Sequence, residues 1–363
     1  MPDSGPMPPA GRMLQRAAKQ RTAQSPATIY DIAALAGVNA STVSRALTKP
    51  GRVSAKTQKK IEDAAAQLNY QANPFARALP TGKTNTVGLI VSDITNPAYF
   101  DVIRGAEGAA SARDYTLLLA ESAESAQTEL LAAKRIMTTV DGIILASPRL
   151  ADEQIRELAK KKPVVVINRM VEEVGCVVAD VQPGVTEAVR HLATLGHESL
   201  AYVAGPDRSW MSGHRWDSIR GRCEWSGLRV RKFGPGTPTV DGGREMAAAI
   251  RESGATGIIC YNDLMAIGLM QELQSAGVRI PAEFSIVGFD NIFGSDFTTP
   301  PLSTVKSPLR ETGATALTLI LAELAASIEP GRADDSALRA EAAKLATELV
   351  IRGSSGQHSP AAL

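Results

Sequence analysis

The stretch from residue 28 to residue 79 repeats its hydrophobic positions at helical spacing and divides into four short segments. A first helix ends at Gly37, where glycine suits a turn that needs a positive φ, and a second begins near Ser41. We expect Ser54 to cap a third helix and Pro74 to open a short fourth helix that needs a partner to form. The residues expected to face inward on the first three helices are Ile29, Ile32, Ala33, Ala36, Val43, Ala46, Leu47, Ile61, Ala65 and Leu68.

From Thr86 onward, short runs of β-branched and aliphatic residues alternate with amphipathic helical segments. This alternation predicts parallel sheets with crossover helices, and because it begins again at Ser199 it predicts two α/β lobes. Ligands in open α/β sheets lie at the carboxyl ends of strands, so we expect a site in the cleft between the lobes. The predicted strands are 87–91, 115–120, 142–145, 164–167, 199–203, 257–260 and 285–288, and the predicted helices are 97–113, 125–137, 183–195, 210–226, 242–252 and 263–276.

The composition is that of a globular protein without a membrane span. The chain has 363 residues, of which 44% are apolar, which suits one small and one large domain. No apolar run approaches the ~20 residues of a membrane-spanning helix, and the N-terminus lacks the apolar core of a secretory signal. We therefore expect a cytoplasmic protein. Its three cysteines and four histidines are scattered without metal-ligand spacing, so we expect no metal and no cofactor.

Charge is distributed unevenly between the two parts of the chain. Residues 1–86 hold 12 lysines and arginines against 4 acidic residues, whereas the rest holds 27 against 34. A basic run is usually only a solvated surface, but here the basic residues fall on the short helices. This is the charge pattern of a module that contacts DNA phosphates, for which the expected contacts are Lys49, Arg52, Lys56 and Lys59.

The second short helix has side chains that suit the major groove of DNA. Its outward positions carry short polar residues and one arginine, which can reach base edges without keeping the helix away from them. Taken alone, the segment also fits an ordinary helical hairpin. The outward residues are Asn39, Ser41, Thr42, Ser44 and Arg45.

Polar residues follow the predicted strands of both lobes. Carboxylates, amides and a guanidinium that converge on a cleft suit a small, hydroxyl-rich ligand, with Tyr99 or Phe100 as a stacking face. The alternative is that Asp and Asn only cap the helices that follow the strands, which we expect of Asp263 and which also fits Asp93. The candidate residues are Ser92, Asp93, Asn96, Tyr99, Asn168, Arg169, Arg215, Asn262 and Asp290.

The sequence gives little support for an enzymatic function. Residues 81–84 read Thr-Gly-Lys-Thr, like the end of a phosphate-binding loop, but Arg77 stands where the first glycine is required and no strand precedes it. Asp93 and Asp290 could form an acid/base pair, yet no nucleophile or metal accompanies them. We therefore expect no enzyme. A solute-binding receptor for uptake would share the two lobes, but it would lack residues 28–79.

The same segments carry a family resemblance. DIAALAGVNASTVSRAL, RVSAKTQKKI, LNY and NPFARAL resemble, in this order, the DNA-binding headpiece and hinge of the LacI/GalR transcription regulators. SDITNP, INR, HLATLGHESLAYVAGP, HRW, YNDLMAIGLMQELQSAGVRIPAEFSIVGFDN, PPLSTV and ELVIRGS resemble the body motifs of that family, so the resemblance runs from about 28 to 354. One departure is Asp180-Val181, where family members often have Asp-Asn.

The resemblance implies a helix-turn-helix headpiece with a hinge helix, followed by a body similar to periplasmic sugar-binding proteins with three crossover strands. It implies a homodimer that reads a near-palindromic double-stranded DNA operator, with Leu79 inserted into the minor groove. From the Asp, Asn and Arg residues of the cleft we expect a sugar or sugar acid as the effector; the alternatives are a nucleoside or no effector at all. The implied DNA contacts are Ala40, Ser41, Thr42, Ser44, Arg45, Asn73, Ala76 and Leu79, and the implied effector contacts are Asn96, Tyr99, Asn168, Arg215, Asn262 and Asp290.

We accordingly expect a sequence-specific transcriptional regulator, most simply a repressor of carbohydrate-utilisation genes controlled by a sugar-like effector. The expected lobes are about 86–179 with 294–328, and about 180–293 with 340–352. The expected domains are a basic extension 1–27, a DNA-binding domain 28–72, a hinge 73–85, an effector-binding and dimerisation body 86–352, and a tail 353–363.

Overall fold

A computed structural model describes residues 27–48, 51–70, 83–326 and 343–358 of the chain. The chain divides between Thr84 and Asn85 into two compact units. The expected basic extension and the hinge residues lie outside the described residues. The hinge residues concerned are Asn73, Ala76 and Leu79.

Within the described part of the smaller unit, the helices are α1 (Ile29–Ala36), α2 (Ala40–Thr48) and α3 (Ala55–Gln67). Each contributes fully buried side chains to one shared core, because its apolar residues recur at helical spacing. The most buried of these side chains are Ile32, Val43 and Ile61.

The ends of these helices follow the local signals in the sequence. Gly37 ends α1 with φ at +69°, a conformation that glycine adopts at little cost, as predicted. Ser54 caps α3, also as predicted, because its side chain accepts a hydrogen bond from the Thr57 amide at 3.3 Å. At the start of α1, the Asp31 carboxylate accepts from the Thr28 amide and hydroxyl at 2.8 and 2.7 Å.

Two six-stranded sheets form the framework of the larger unit. Their strands in chain order are β1 (Thr86–Val91), β2 (Thr116–Glu121), β3 (Gly142–Ala146), β4 (Val164–Ile167), β5 (Gly175–Asp180), β6 (Ser199–Val203), β7 (Arg229–Phe233), β8 (Gly257–Cys260), β9 (Ser285–Asp290), β10 (Ser303–Lys306), β11 (Ala343–Ala346) and β12 (Glu348–Val350).

Helices alternate with these strands, as the sequence predicts. None of the helices described is long and apolar enough to span a membrane. The expected helix 242–252 is two short helices, because the chain turns at Met246. In chain order the helices are α4 (Ala98–Ser111), α5 (Ala126–Ile136), α6 (Asp152–Ala159), α7 (Gln182–Thr194), α8 (Trp210–Trp225), α9 (Val240–Glu245), α10 (Ala247–Arg251), α11 (Asp263–Ser275) and α12 (Leu309–Ala326).

Each sheet belongs to one lobe. The first lobe has the strand order β11-β5-β4-β3-β1-β2, and every pair in it is parallel. The second lobe has the order β12-β10-β9-β8-β6-β7, and among its pairs only β10 with β12 is antiparallel. Central strands such as β3, β4 and β8 are buried on both faces, which is why they read as continuous apolar runs.

The chain passes between the two sheets three times, from β5 to α7, from β10 to α12 and from β11 to β12. Thr347 joins two of these crossings. Its hydroxyl donates to the Asp180 carbonyl at 2.8 Å and accepts from the Gly184 amide at 3.2 Å. The lobes are therefore connected by three short segments, two of which are bonded to each other through Thr347.

The crossings correct two of the expected lobe boundaries. Residues 294–328 were expected in the first lobe, but β10 pairs with β9 of the second sheet. Residues 340–352 were expected in the second lobe, but β11 pairs with β5 of the first sheet. Strands of three or four residues have too little periodicity to identify the sheet that they join.

The expected tail is also wrong for residues 353–358. Ser354 is completely buried: its hydroxyl donates to the Ile286 carbonyl at 2.6 Å and accepts from the Ser303 amide at 2.8 Å. Ser285 and Gly356 exchange two further hydrogen bonds. The segment therefore packs as part of the second lobe, through backbone and hydroxyl bonds that leave no hydrophobic pattern in the sequence.

Helices α4 and α12 pack against each other through glycines. A Cβ atom built on Gly105 would lie 1.9 Å from the carbonyl oxygen of Arg310, and one on Gly313 would lie 2.0 Å from that of Val102. Both distances are far inside van der Waals contact. The two helix backbones can therefore approach only because both residues lack a side chain.

Candidate functional site

Helix α2 separates its side chains in the way the sequence predicts. Val43 and Ala46 are buried in the core, whereas Ser41 and Arg45 are exposed one turn apart on the same face. The Arg45 Nε atom donates to the Ser41 carbonyl at 3.2 Å, so the guanidinium lies along the outer face of the helix. The other residues expected to contact DNA from this helix are half-buried: Ala40, Thr42 and Ser44.

A small cavity, of about 40 Å³, lies between the two lobes. All six residues that were expected to bind an effector line it, three from each lobe. The carboxyl ends of β1 and β4 supply one side, and the ends of β8 and β9 with helix α8 supply the other. We name this space the inner cavity. The six residues are Asn96, Tyr99, Asn168, Arg215, Asn262 and Asp290.

Arg215 is the main charged group of the inner cavity. Its Nη2 atom lies 2.7 Å from Oδ1 of Asp290, its Nη1 donates to the Tyr261 carbonyl, and its guanidinium carbon lies 3.8 Å from the centre of the Phe289 ring. Burial is the largest effect and lowers the pKa of this guanidinium, but the Asp290 carboxylate, Tyr261 and Tyr202 together outweigh burial and raise the pKa above its ordinary value. The side chain therefore stays charged although it is almost fully buried.

One donor of Arg215 remains unused. Its Nε atom is buried and has no hydrogen-bond partner among the described residues. A buried donor without a partner is costly, so this atom is a source of instability in the site.

The backbone at the strand ends is strained. Asp290 has φ at +101°, and Ser147 and Asn168 have φ at +56° and +61°. Such conformations are rare for residues other than glycine and persist where the surrounding structure holds them. They direct the polar side chains of three strand ends into the inner cavity.

Tyr99 forms an apolar wall with one polar end. Its hydroxyl lies 2.7 Å from the Ser92 hydroxyl, and burial raises its pKa to about 12, so it stays neutral. Phe100, the alternative stacking residue, is 42% exposed and does not line the inner cavity. Of the two aromatic candidates, Tyr99 alone is placed to face a ligand.

The three asparagines differ in how far their amides are already bonded. Asn96 accepts from the Ala98 amide at 3.0 Å, and Asn168 donates to the Ser147 hydroxyl at 3.3 Å, so each keeps a second polar atom for a ligand. Asn262 uses both ends: Oδ1 accepts from the Met265 amide and Nδ2 donates to the Pro238 carbonyl, each at 2.9 Å. Asn262 therefore shapes the inner cavity while its own amide is occupied.

The expectation that Asp263 caps helix α11 is wrong. The cap is Asn262, and Asp263 is completely buried at the first position of the helix. Its carboxylate accepts from the Thr304 hydroxyl at 2.6 Å and from the Ile292 amide at 2.8 Å. Burial raises the pKa of Asp263 to about 7, although these two hydrogen bonds act to lower it.

Sequence reasoning missed three polar residues at the same cleft. Tyr261 follows β8 directly, Glu124 follows β2, and Arg149 follows β3. Nε of Arg149 donates to the Glu124 carboxylate at 2.8 Å, and Nη2 lies 2.6 Å from the same oxygen. The rule that polar residues at strand ends face the cleft would have found them if it had been applied to every strand.

The arrangement suits binding rather than chemistry on a substrate. It offers carboxylate and amide acceptors, guanidinium and hydroxyl donors and one aromatic face, which together fit a polyhydroxylated ring. Within the described ranges, no group of three or more histidine, cysteine and acidic residues is placed to hold a metal ion.

Comparisons with known proteins agree with both halves of this description. Residues 28–73 match the bacterial regulatory proteins of the lacI family, and residues 189–355 match a periplasmic binding protein-like domain. The HTH-type transcriptional repressor CytR of Escherichia coli K12 is 31% identical over 347 residues, which cover 93% of this chain and 98% of CytR.

Solved structures give the same result. The lac repressor dimer bound to operator and the anti-inducer ONPF superposes with a TM-score of 0.80 at 25% identity, covering 92% of this chain and 100% of that one. A LacI family regulator from Enterococcus faecalis V583 with bound ribose has a TM-score of 0.66 at 28% identity, covering 76% and 100%.

A helical DNA-binding unit joined to a two-lobed, periplasmic-binding-like body defines a DNA-binding transcription regulator rather than an enzyme. The chain belongs to the lacI family of bacterial regulatory proteins.

Proposed function

We propose that this protein is a cytoplasmic homodimeric repressor of carbohydrate-utilisation genes, controlled by a small sugar-like effector in the inner cavity. The observation that carries the proposal is the convergence of polar side chains from both lobes, the charged pair of Arg215 and Asp290 among them, on one cavity. The ribose seen in the Enterococcus regulator supports a sugar ring as the ligand.

On the DNA side, Ser41 and Arg45 read base edges in the major groove, with Ala40, Thr42 and Ser44 beside them. The support is the exposure of Ser41 and Arg45 on one face of α2, while the opposite face is buried. Exposed basic residues of the unit, such as Lys56 and Lys59, contact phosphates.

The operator is near-palindromic because a two-fold dimer presents the same surface to both half-sites. Residues 73–85 form the hinge, in which Asn73 and Ala76 contact DNA and Leu79 enters the minor groove and bends the duplex. The operator-bound dimer of the lac repressor supports this arrangement. A regulator of transcription works where the DNA is, which supports the cytoplasm as its location.

Effector binding changes the angle between the lobes, since its contacts come from both. The three crossings form the natural axis of this motion, and the change alters the spacing of the two hinges in the dimer. A coupling of about 1–3 kcal/mol, or about 5–150-fold in operator affinity, would be typical.

Selection from a randomised duplex library at moderate salt, repeated with a panel of sugars, tests the proposal. One enriched palindrome whose recovery changes with a particular sugar is the expected result. A palindrome that no sugar affects would contradict the effector assignment alone. If well-folded protein enriches no sequence, the assignment of Ser41 and Arg45 as base readers is wrong.

Two matched variants then separate base reading from phosphate contact. Arg45→Ala is expected to weaken operator binding by about 1–3 kcal/mol while weakening binding to scrambled DNA less. Lys59→Ala is expected to weaken both equally and to lower the salt dependence by about one counterion. Fluorescence anisotropy over a range of salt concentrations measures both effects. Equal losses on both DNAs for Arg45→Ala would contradict its role.

A further inference from the structure

Strand β7 lies at one edge of the second sheet. Within the described ranges it pairs with β6 alone, because the order of strands ends at β7. The Arg229 amide and the Phe233 carbonyl form hydrogen bonds of 3.1 and 2.8 Å to the residues that flank β6. Backbone groups alternate from side to side along a strand, so the N–H and C=O groups of Val230 and Lys232 point away from β6. The edge therefore offers hydrogen-bonding groups to another extended chain.

This edge is basic although the body around it is acidic. Residues 87–363 hold 27 lysines and arginines against 34 acidic residues, whereas the stretch 220–232 holds five against a single glutamate. Within the described part of the chain, the one ion pair from this stretch joins Arg220 to Asp217 on the same helix. Arg229, Arg231 and Lys232 of β7 are exposed. Their charges are therefore available to an acidic partner.

The cations lie on both faces of the edge. Side chains alternate along a strand, so Arg229 and Arg231 share one face and Lys232 lies on the other. The guanidinium carbon of Arg231 lies 5.2 Å from the centre of the Phe233 ring, and its Nη1 atom lies 3.5 Å from the Ser253 carbonyl oxygen. These contacts hold the side chain against the body. A strand added to β7 would therefore meet positive charge on both of its faces.

An exposed tryptophan precedes the start of β7. Trp225 ends helix α8 and is 76% exposed, and the chain turns at Gly227 before it enters the strand. The guanidinium carbon of Arg222 lies 4.0 Å from the centre of the Trp225 ring, so the two side chains stack. Tryptophan and arginine are enriched among the residues that dominate binding at protein interfaces. The pair therefore gives the basic edge an anchor for a partner.

The charge and the backbone of the edge together select its partner. Basic side chains on an edge strand prevent pairing with a second copy of the same strand, because like charges would lie opposite each other. Protection of this kind does not account for an exposed Trp225. A nucleic acid would contact the cations and the ring, but it would leave the outward N–H and C=O groups of β7 unused. An acidic peptide in an extended conformation matches the charges and the backbone groups.

We propose that the β7 edge binds an acidic, extended segment of a partner protein, which joins the second sheet as an added strand. The backbone of this segment pairs with that of Val230 and Lys232. Its carboxylates lie opposite the cations of β7, and an apolar side chain at its end packs on Trp225. The edge belongs neither to the inner cavity nor to helix α2, so the partner is a different molecule from the effector and from DNA.

Fluorescence anisotropy of labelled synthetic peptides with the full-length protein at low salt tests the inference. The probe is a short peptide of alternating glutamate and threonine. One control replaces every glutamate by lysine, and the other is the acidic peptide with N-methylated backbone amides, which lacks the donors that pair with a strand. The acidic peptide is expected to bind about tenfold or more tightly than either control.

Three results would overturn the inference. If the acidic peptide does not bind, the edge is not a site for acidic strands. If the N-methylated peptide binds equally well, the contact is electrostatic and no strand is added. If a single-stranded oligonucleotide binds more tightly than the acidic peptide, the surface recognises nucleic acid instead of protein.

Two variants of Lys232 separate its charge from its backbone. Lys232→Gln removes one cation and is expected to weaken binding of the acidic peptide about threefold. Lys232→Pro also removes the outward N–H and is expected to weaken it about tenfold, since proline is tolerated on an edge strand where its nitrogen faces solvent. Circular dichroism shows whether each variant is folded. If Lys232→Pro does not fold, the N-methylated peptide still makes the same distinction.

Two further variants test the anchor and the specificity of the surface. Trp225→Ala is expected to weaken binding about fivefold or more. Lys134→Gln removes an exposed lysine of the first lobe and is expected to change nothing. Unchanged affinity in both Lys232→Pro and Trp225→Ala would overturn the assignment to this edge.

Discussion

Nη2 of Arg215 lies 2.7 Å from Oδ1 of Asp290, and the two side chains reach this contact from different elements of the second lobe, helix α8 and the end of β9. The Ser307 hydroxyl, which follows β10, donates to the same carboxylate oxygen at 3.2 Å. The pair is therefore at once the charged centre of the inner cavity and a connection between three elements.

Removing one member of this pair should cost stability. Arg215→Met leaves a buried carboxylate without its cation, and Asp290→Asn leaves a buried guanidinium without its anion, so each should lower the free energy of unfolding by about 3–5 kcal/mol. The double variant has no unpaired charge and should lose much less than the sum. Asparagine is chosen because it tolerates the positive φ of residue 290. Urea denaturation followed by circular dichroism measures the cycle, and additive losses would contradict direct coupling.

Asp263 should make stability fall as the pH rises. Its pKa is raised from the ordinary 3.8 to about 7, chiefly by burial, so the folded protein holds a proton that the unfolded chain releases between these values. The stabilisation from this proton is complete below about pH 3.8 and is lost as the pH rises through 7. Relative to Asp263→Asn, the wild type should lose up to about 4 kcal/mol across this window. Parallel pH profiles of the two proteins would disprove the assignment.

His197 should make stability fall as the pH falls, which is the opposite of the effect of Asp263. Burial lowers its pKa to about 4, and its two ring nitrogens lie 2.8 Å from the hydroxyls of Thr256 and Ser285. The unfolded chain binds a proton on this histidine near pH 6.5, whereas the folded protein binds it only near pH 4. The stabilisation that the neutral His197 ring provides is therefore complete above pH 6.5 and is lost as the pH falls to 4. The expected loss is up to about 3 kcal/mol relative to His197→Gln, by thermal unfolding at a series of pH values. A variant that retains the same acid sensitivity would exclude His197 as its cause.

Gly105→Ala should destabilise the first lobe, because its Cβ would meet the Arg310 carbonyl on helix α12 at 1.9 Å. Overpacking of this kind costs about 1–3 kcal/mol or more. Gly108→Ala is the matched control on the same helix, since nothing lies within 4 Å of its added Cβ, and it should be neutral or stabilising by about 0.5–1 kcal/mol. Differential scanning calorimetry compares the two. If both variants melt alike, α4 and α12 are not in the close contact described.

The residues of the inner cavity could be predicted from the sequence because one physical rule applies to them: the carboxyl ends of parallel strands meet at a common edge. The bounds of a long helix could also be predicted: the helix expected at 210–226 is observed at Trp210–Trp225.

Other features depend on contacts that no local pattern encodes. The strand β10 gives no sign of which sheet it will join, and Ser354 owes its burial to partners about 50 and 70 residues away. Asn262 rather than Asp263 caps helix α11, and the Asp263 carboxylate instead accepts a hydrogen bond from Thr304, which comes from a neighbouring strand. Sequence therefore predicted which residues reach the cleft better than it predicted how they are bonded there.

The three crossings between the lobes have a consequence for synthesis on the ribosome. The helical unit has its whole core within residues 27–70, so it can fold early, whereas the first sheet needs β11 and the second needs β12 from the far end of the chain. At ordinary rates of translation the interval between them is on the order of tens of seconds. The nascent chain thus completes its helical unit first, and the cavity between the lobes is among the last parts to close.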